Sequence, residues 1–142
     1  MYHKIILVGN LGRDPQMRYT PSGQQVTDFS MATSEKWTGQ DGQQQERTIW
    51  WRVTVWGKQA ENVNQYLKKG SRVLVEGRMN PDPKTGGPRM WTGQDGTTRA
   101  SYEVTALTVK FLSARGEGGA PAEASAVGEV EAGATDESDI PF

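Results

Sequence analysis

Ten residues, Arg47-Thr-Ile-Trp-Trp-Arg-Val-Thr-Val-Trp56, constrain this chain more than any other stretch. In a β-strand successive side chains point to opposite faces. One face is then Ile49, Trp51, Val53 and Val55, an apolar set fit for a core. The other is Thr48, Trp50, Arg52, Thr54 and Trp56. A lone tryptophan is usually covered by another element, because tryptophan is highly buried on average. Here two flank an arginine, opposite a face that is already apolar. Flat aromatics around a guanidinium and hydroxyls form a surface on which bases can stack beside a charged backbone.

The 142 residues suit one domain and a tail. Residues 1–115 hold all 16 Lys and Arg against 10 Asp and Glu; residues 116–142 hold the other 7 acids and no base. The basic body predicts a polyanionic partner. The tail is rich in Gly, Ala, Glu and Ser, buries too little apolar surface to fold, and is expected to be disordered. It ends Asp136, Glu137, Ser138, Asp139, Ile140, Pro141, Phe142. Acids leading into Ile-Pro-Phe and a carboxylate suit a partner with an apolar pocket and basic rim.

There is no cysteine, which removes disulfides, zinc thiolates and thiol nucleophiles and allows a reducing cytoplasm. His3 is the only imidazole, so neither a catalytic triad nor a histidine metal site is expected. No phosphate loop, dinucleotide turn or zinc-protease motif occurs. No apolar run reaches the roughly 18 residues of a membrane span, and the first residues read as a strand, not a signal peptide. No enzyme and no cofactor are expected.

The patterning predicts strands at Lys4–Asn10, Val26–Ser34, 47–56, Ser71–Asn80 and Arg99–Ser113, with a helix over 58–69. Ala60, Val63 and Leu67 share the helix's apolar face, Lys68 and Lys69 complement its C-terminal dipole, and Gly70 stops it. Five strands with a helix between the third and fourth make a five-stranded OB-fold barrel, an all-β class. The first strand is apolar on both faces, Ile5 and Leu7 against Ile6 and Val8, and only one can look into a small barrel. The other predicts a subunit interface. Polar fingers near 36–46 and 81–98 each carry the same hexapeptide, Trp37-Thr-Gly-Gln-Asp-Gly42 and Trp91-Thr-Gly-Gln-Asp-Gly96.

Five segments bring in a resemblance. Ile5-Ile-Leu-Val-Gly-Asn-Leu-Gly-Arg-Asp-Pro15, Ala32-Thr-Ser-Glu-Lys-Trp37, Trp56-Gly-Lys-Gln-Ala-Glu61, Tyr66-Leu-Lys-Lys-Gly70 and Asp139-Ile-Pro-Phe142 closely resemble the bacterial single-stranded DNA-binding proteins (SSB). The match covers residues 3–113 and the C-terminal tip. It implies a homotetramer of OB folds that binds single-stranded DNA in replication, recombination and repair, in the cytoplasm with the nucleoid. It implies a domain at 1–113 and a tail at 114–142. Trp37, Trp50, Trp56 and Trp91 match the family's base-stacking positions. Lys4, Arg52, Lys58, Lys68 and Lys69 match basic positions near the DNA path. The tip, with Asp136, Glu137, Asp139, Ile140, Pro141 and Phe142, matches the part that docks DNA-metabolism enzymes. Two departures stand out: Trp56 replaces a common Phe, and Trp51 a smaller polar residue or His. Alternation assigns Trp51 to core or interface. Stacking alone does not separate DNA from RNA, so the residues themselves leave open an RNA-binding or translation-related OB domain, or a hub acting only through its tail.

Overall fold

The computed structural model describes residues 1–113. Period-two patterning sets its core. In β4 (Gln44–Trp56), Trp51, Val53 and Val55 are buried, and in β3 (Gln25–Thr38), Phe29 and Met31 lie beside them. The two strands pair along nearly their full length, with Phe29 opposite Val53 and Met31 opposite Trp51. β1 (Ile5–Leu11) contributes Leu7 and Leu11, and β5 (Arg72–Met79) contributes Val73 and Val75.

The last strand, β7 (Thr98–Phe111), changes phase midway. Thr108 pairs with Glu76 and Ala106 with Gly77, leaving Leu107 as an extra, exposed residue. This bulge lets Ala106 and Val109, three residues apart, both pack on the core. Gly77 belongs at the irregularity because the Thr105 carbonyl oxygen lies 2.2 Å from where a Cβ would stand.

The barrel closes in the order β1–β5–β7–β4–β3 and back to β1 through Asn10 opposite Ala32 and Leu11 opposite Met31. β4 and β7 run parallel, with Trp51 opposite Tyr102 and Arg52 opposite Glu103. Parallel neighbours need a crossover, and helix α1 (Lys58–Tyr66) with β5 supplies it. The helix buries Ala60 and Val63, Leu67 packs just beyond it, and the buried Thr27 hydroxyl donates to the Ala60 carbonyl at 2.7 Å. The predicted five-stranded barrel with one helix is therefore present.

Two details differ from the sequence reading. The helix ends at Tyr66, not 69, because Leu67 is already extended (φ −99°, ψ 149°). Lys68 and Lys69 follow it in a turn held by Ser71 Oγ, which accepts from the Lys68 N–H at 3.0 Å, so no lysine sits on the helix's last turn. Two short strands, β2 (Gln16–Tyr19) and β6 (Arg89–Thr92), pair outside the barrel ring with β3 and β7. Their sequences, Gln-Met-Arg-Tyr and Arg-Met-Trp-Thr, carry no buried face, so no periodicity marked them. The two fingers are consequently β-ribbons, β3–β4 and β6–β7, extending from the barrel.

Candidate nucleic-acid interface

The outward face of β4 is what alternation predicts. Trp50 and Trp56 are 56% and 42% exposed, whereas the intervening Trp51 is 9% exposed. The Trp51 indole N–H donates to Thr33 Oγ1 at 2.9 Å, and its ring sits 5.5 Å from that of Tyr102. A buried tryptophan with its one donor satisfied is structural. Trp50 lies over Gly12, so closely that a Cβ there would come within 2.4 Å of the ring.

Beside Trp50 opens a cleft of about 490 Å³. It is lined by Trp50, Trp91, Arg52, Arg13 and Ser30, among others, and so joins β4, the β6–β7 finger and the loop after β1. Among the described residues, ion pairs engage Lys4, Arg18, Arg47, Lys58, Arg89 and Arg99, and Arg52 is not one of them. An unpaired guanidinium in the same cleft as exposed indoles suits bidentate contact with phosphate. Of the cleft's two acids, Asp28 is occupied, since Thr54 Oγ1 donates to it at 2.7 Å and Arg18 lies 3.2 Å away, and Asp14 accepts from a backbone N–H. Arg13, named in the sequence only within the Ile5–Pro15 segment and not among the expected DNA-binding residues, donates from Nε to Ser30 Oγ at 3.4 Å. Its place in the cleft depends on where the β1–β2 loop folds, which no local pattern encodes.

The other expected residues scatter around this centre. Trp37 and Trp91 stand on the two fingers, 45% and 47% exposed. Trp56 ends β4 on the face of Trp50, and Lys58 follows it at the start of α1, paired with Glu61 at 3.2 Å. The Lys69 N–H donates to Asp14 Oδ1 at 2.8 Å, which ties the Lys68–Lys69 turn to a residue lining the cleft. Lys4 is not brought there. It pairs with Glu76 across the β1–β5 ladder, and that bond, with a smaller part from Tyr2, holds its ammonium above the ordinary value. The expected docking residues Asp136, Glu137, Asp139, Ile140, Pro141 and Phe142 lie outside the described residues.

A closed five-stranded barrel with its helix before the fourth barrel strand is an OB fold, with an aromatic and basic cleft on one side. The model of the single-strand binding protein family matches residues 2–112, and the chain belongs to that family. Single-stranded DNA-binding proteins of two Neisseria meningitidis strains, of serogroups A and B, are each 46% identical to it over 123 residues, covering 85% of this chain and 67% of theirs. The solved Plasmodium falciparum SSB complex with ssDNA superposes with a TM-score of 0.63 at 26% identity, covering 80% of this chain and 97% of that one.

Proposed function

We propose that this chain binds and protects single-stranded DNA without sequence preference, in replication, recombination and repair. The observation that carries the reading is the cleft lined together by exposed Trp50 and Trp91 and by Arg52, which none of the described ion pairs engages. In this reading bases stack on Trp37, Trp50, Trp56 and Trp91. Arg52 contacts phosphate, with Lys58, Lys68 and Lys69 along the path and Lys4 more remote. Stacking contributes roughly 1–3 kcal/mol per base and tolerates any sequence, because every base has a π face. Phosphate contacts release counterions, so affinity falls with salt. Duplex DNA binds poorly, since its bases are already stacked on each other.

Residues 1–113 form the binding and oligomerising domain, and 114–142 a tail whose tip recruits DNA-metabolism proteins. The assembly is a homotetramer located with the nucleoid in the cytoplasm. It multiplies affinity by effective concentration, without new contacts per fold. The activity is binding, without catalysis.

The test is tryptophan fluorescence during titration with oligothymidine at low and high salt. Quenching that saturates at a fixed nucleotide ratio, and weakens with salt, is the expected result. No quenching by a folded protein would refute the reading. Competition with the matched RNA oligomer separates the two nucleic acids, and equal affinity for RNA would favour the RNA-binding alternative.

A further inference from the structure

The repeated hexapeptide folds twice into the same tip. In the first finger the Gly39 N–H donates to Gln43 O at 2.8 Å, Gly42 N–H to Gly39 O at 3.0 Å, and Gln43 N–H to Asp41 Oδ1 at 3.1 Å. In the second, Gly93 N–H donates to Thr97 O at 2.9 Å, Gly96 N–H to Gly93 O at 3.0 Å, and Thr97 N–H to Asp95 Oδ1 at 3.0 Å. Gly42 and Gly96 take φ values of +77° and +78°, where a side chain is strained. Trp37 and Trp91 therefore occupy equivalent places on two matched ribbons.

Each indole also has an arginine beside it. The Arg47 guanidinium carbon lies 5.4 Å from the Trp37 ring centre, and that of Arg99 5.6 Å from the Trp91 ring centre. Each arginine is in turn held by an acid, Arg47 by Glu35 at 2.9 Å and Arg99 by Asp95 at 3.1 Å. The hexapeptide does not explain this, because the supporting residues differ in position. Arg99 is the direct cross-strand partner of Trp91, whereas Trp37 pairs with Gln45 and Arg47 lies two residues further along β4. Asp95 belongs to the hexapeptide; Glu35 precedes it. Different positions build the same acid–arginine–tryptophan arrangement on both fingers.

An exposed indole on a ribbon tip has two open faces and rotamer freedom, and stacking a base must remove that freedom. A guanidinium over one face restrains the ring and leaves the opposite face open. Its acid partner competes with phosphate for the guanidinium and holds it at the ring. We propose that Arg47 and Arg99 are positioning residues that restrain Trp37 and Trp91, so that each fingertip offers one pre-set ring face to a nucleobase. The proposal rests on the single-stranded DNA reading and extends it to residues whose task is to orient the stacking rings.

The test is a double-mutant cycle in the full chain, with oligothymidine affinity measured across a salt series. Arg47→Gln is combined with Trp37→Ala, and Arg99→Gln with Trp91→Ala, and the unfolding midpoint of each variant is checked against the parent. Each arginine variant should bind about two- to fivefold more weakly, the size of an exposed cation–π contact. It should keep the parent's salt slope, and cause no further loss where the tryptophan is already alanine. Losses that add in the double variants, with the salt slope reduced by about one, would make the arginines phosphate ligands and overturn the proposal. Unchanged affinity in both arginine variants would also overturn it. If the parent binds but neither tryptophan variant weakens binding, the fingertip proposal falls while the DNA-binding reading stands. A parent that does not bind oligothymidine removes both.

Discussion

Trp50, Trp51 and Trp56 lie within seven residues of one strand, yet one is structural and two face solvent. The difference is pleat direction, which is local and visible in the sequence. Trp50→Ala and Trp56→Ala should each lose roughly 1–3 kcal/mol of oligothymidine binding with little change in unfolding midpoint. Trp51→Ala, which empties a core position and orphans the Thr33 contact, should instead cost about 3–5 kcal/mol of stability. Reversal of that pattern in thermal melts and titrations would refute the face assignment. The second fingertip makes a pH prediction. The Thr97 backbone N–H, then the Thr97 hydroxyl and Arg99, hold the Asp95 carboxyl below its ordinary 3.8. A carboxyl depressed by folding stabilises the turn above its ordinary pKa and loses that effect as pH falls through the lower folded value. A carboxyl-detected NMR titration should place Asp95 under 3.8, with the Thr97 amide losing protection over the same range. A midpoint at or above the ordinary value would refute it.

At the scale of elements, strong periodicity was legible and short polar pairing was not. The β3–β4 hairpin, the barrel strands and the apolar face of α1 follow from spacing alone. The strands β2 and β6 exist because a longer neighbour offers an open edge, a property of β3 and β7 rather than of Gln16–Tyr19 or Arg89–Thr92. The helix ends early because Leu67 turns back to pack on the core while Ser71 caps the following turn, both tertiary events. Two glycines near the start of the chain separate fold from function. At Gly9 a Cβ would lie 2.1 Å from the Ala32 carbonyl oxygen, so Gly9→Ala should force the β1–β3 seam apart and cost about 1–3 kcal/mol. At Gly12 the obstacle is the exposed Trp50 ring, which can swing away. Gly12→Ala should leave the urea midpoint nearly unchanged while weakening DNA binding. Equal midpoints for the two variants would show that the seam tolerates the added methyl group.

For the whole molecule, the barrel leaves Ile6 and Val8 exposed on the outward face of β1, beside the Lys4–Glu76 pair. In the proposed tetramer this face is covered by another subunit. Ile6→Asp should shift the sedimenting species toward smaller assemblies while the barrel stays folded, because the side chain points away from the core. An unchanged assembly would place the interface elsewhere. Deleting residues 116–142 removes 7 acids and no base. It should leave DNA affinity equal or slightly higher and abolish capture of partner proteins. Loss of most DNA binding would contradict the division between body and tail.

Read alone, the chain was enough to set which side of β3, β4 and β5 faces the core, the order of elements that closes an OB barrel, and the tryptophans that reach solvent; the inward face of β1, apolar on both sides, and the phase change in β7 were not legible there. Those properties follow from backbone geometry, which repeats every two residues in a strand and needs no knowledge of distant neighbours. It took the folded chain to show that Trp50, Arg52, Arg13 and Trp91 share one cleft, that Lys4 is spent on Glu76, and that Arg47 and Arg99 back the finger tryptophans. Each of these depends on which strands become neighbours when the sheet closes. Closure sets β4 parallel to β7 and β5 against β1, bringing together residues that are far apart in the chain and that no local spacing connects.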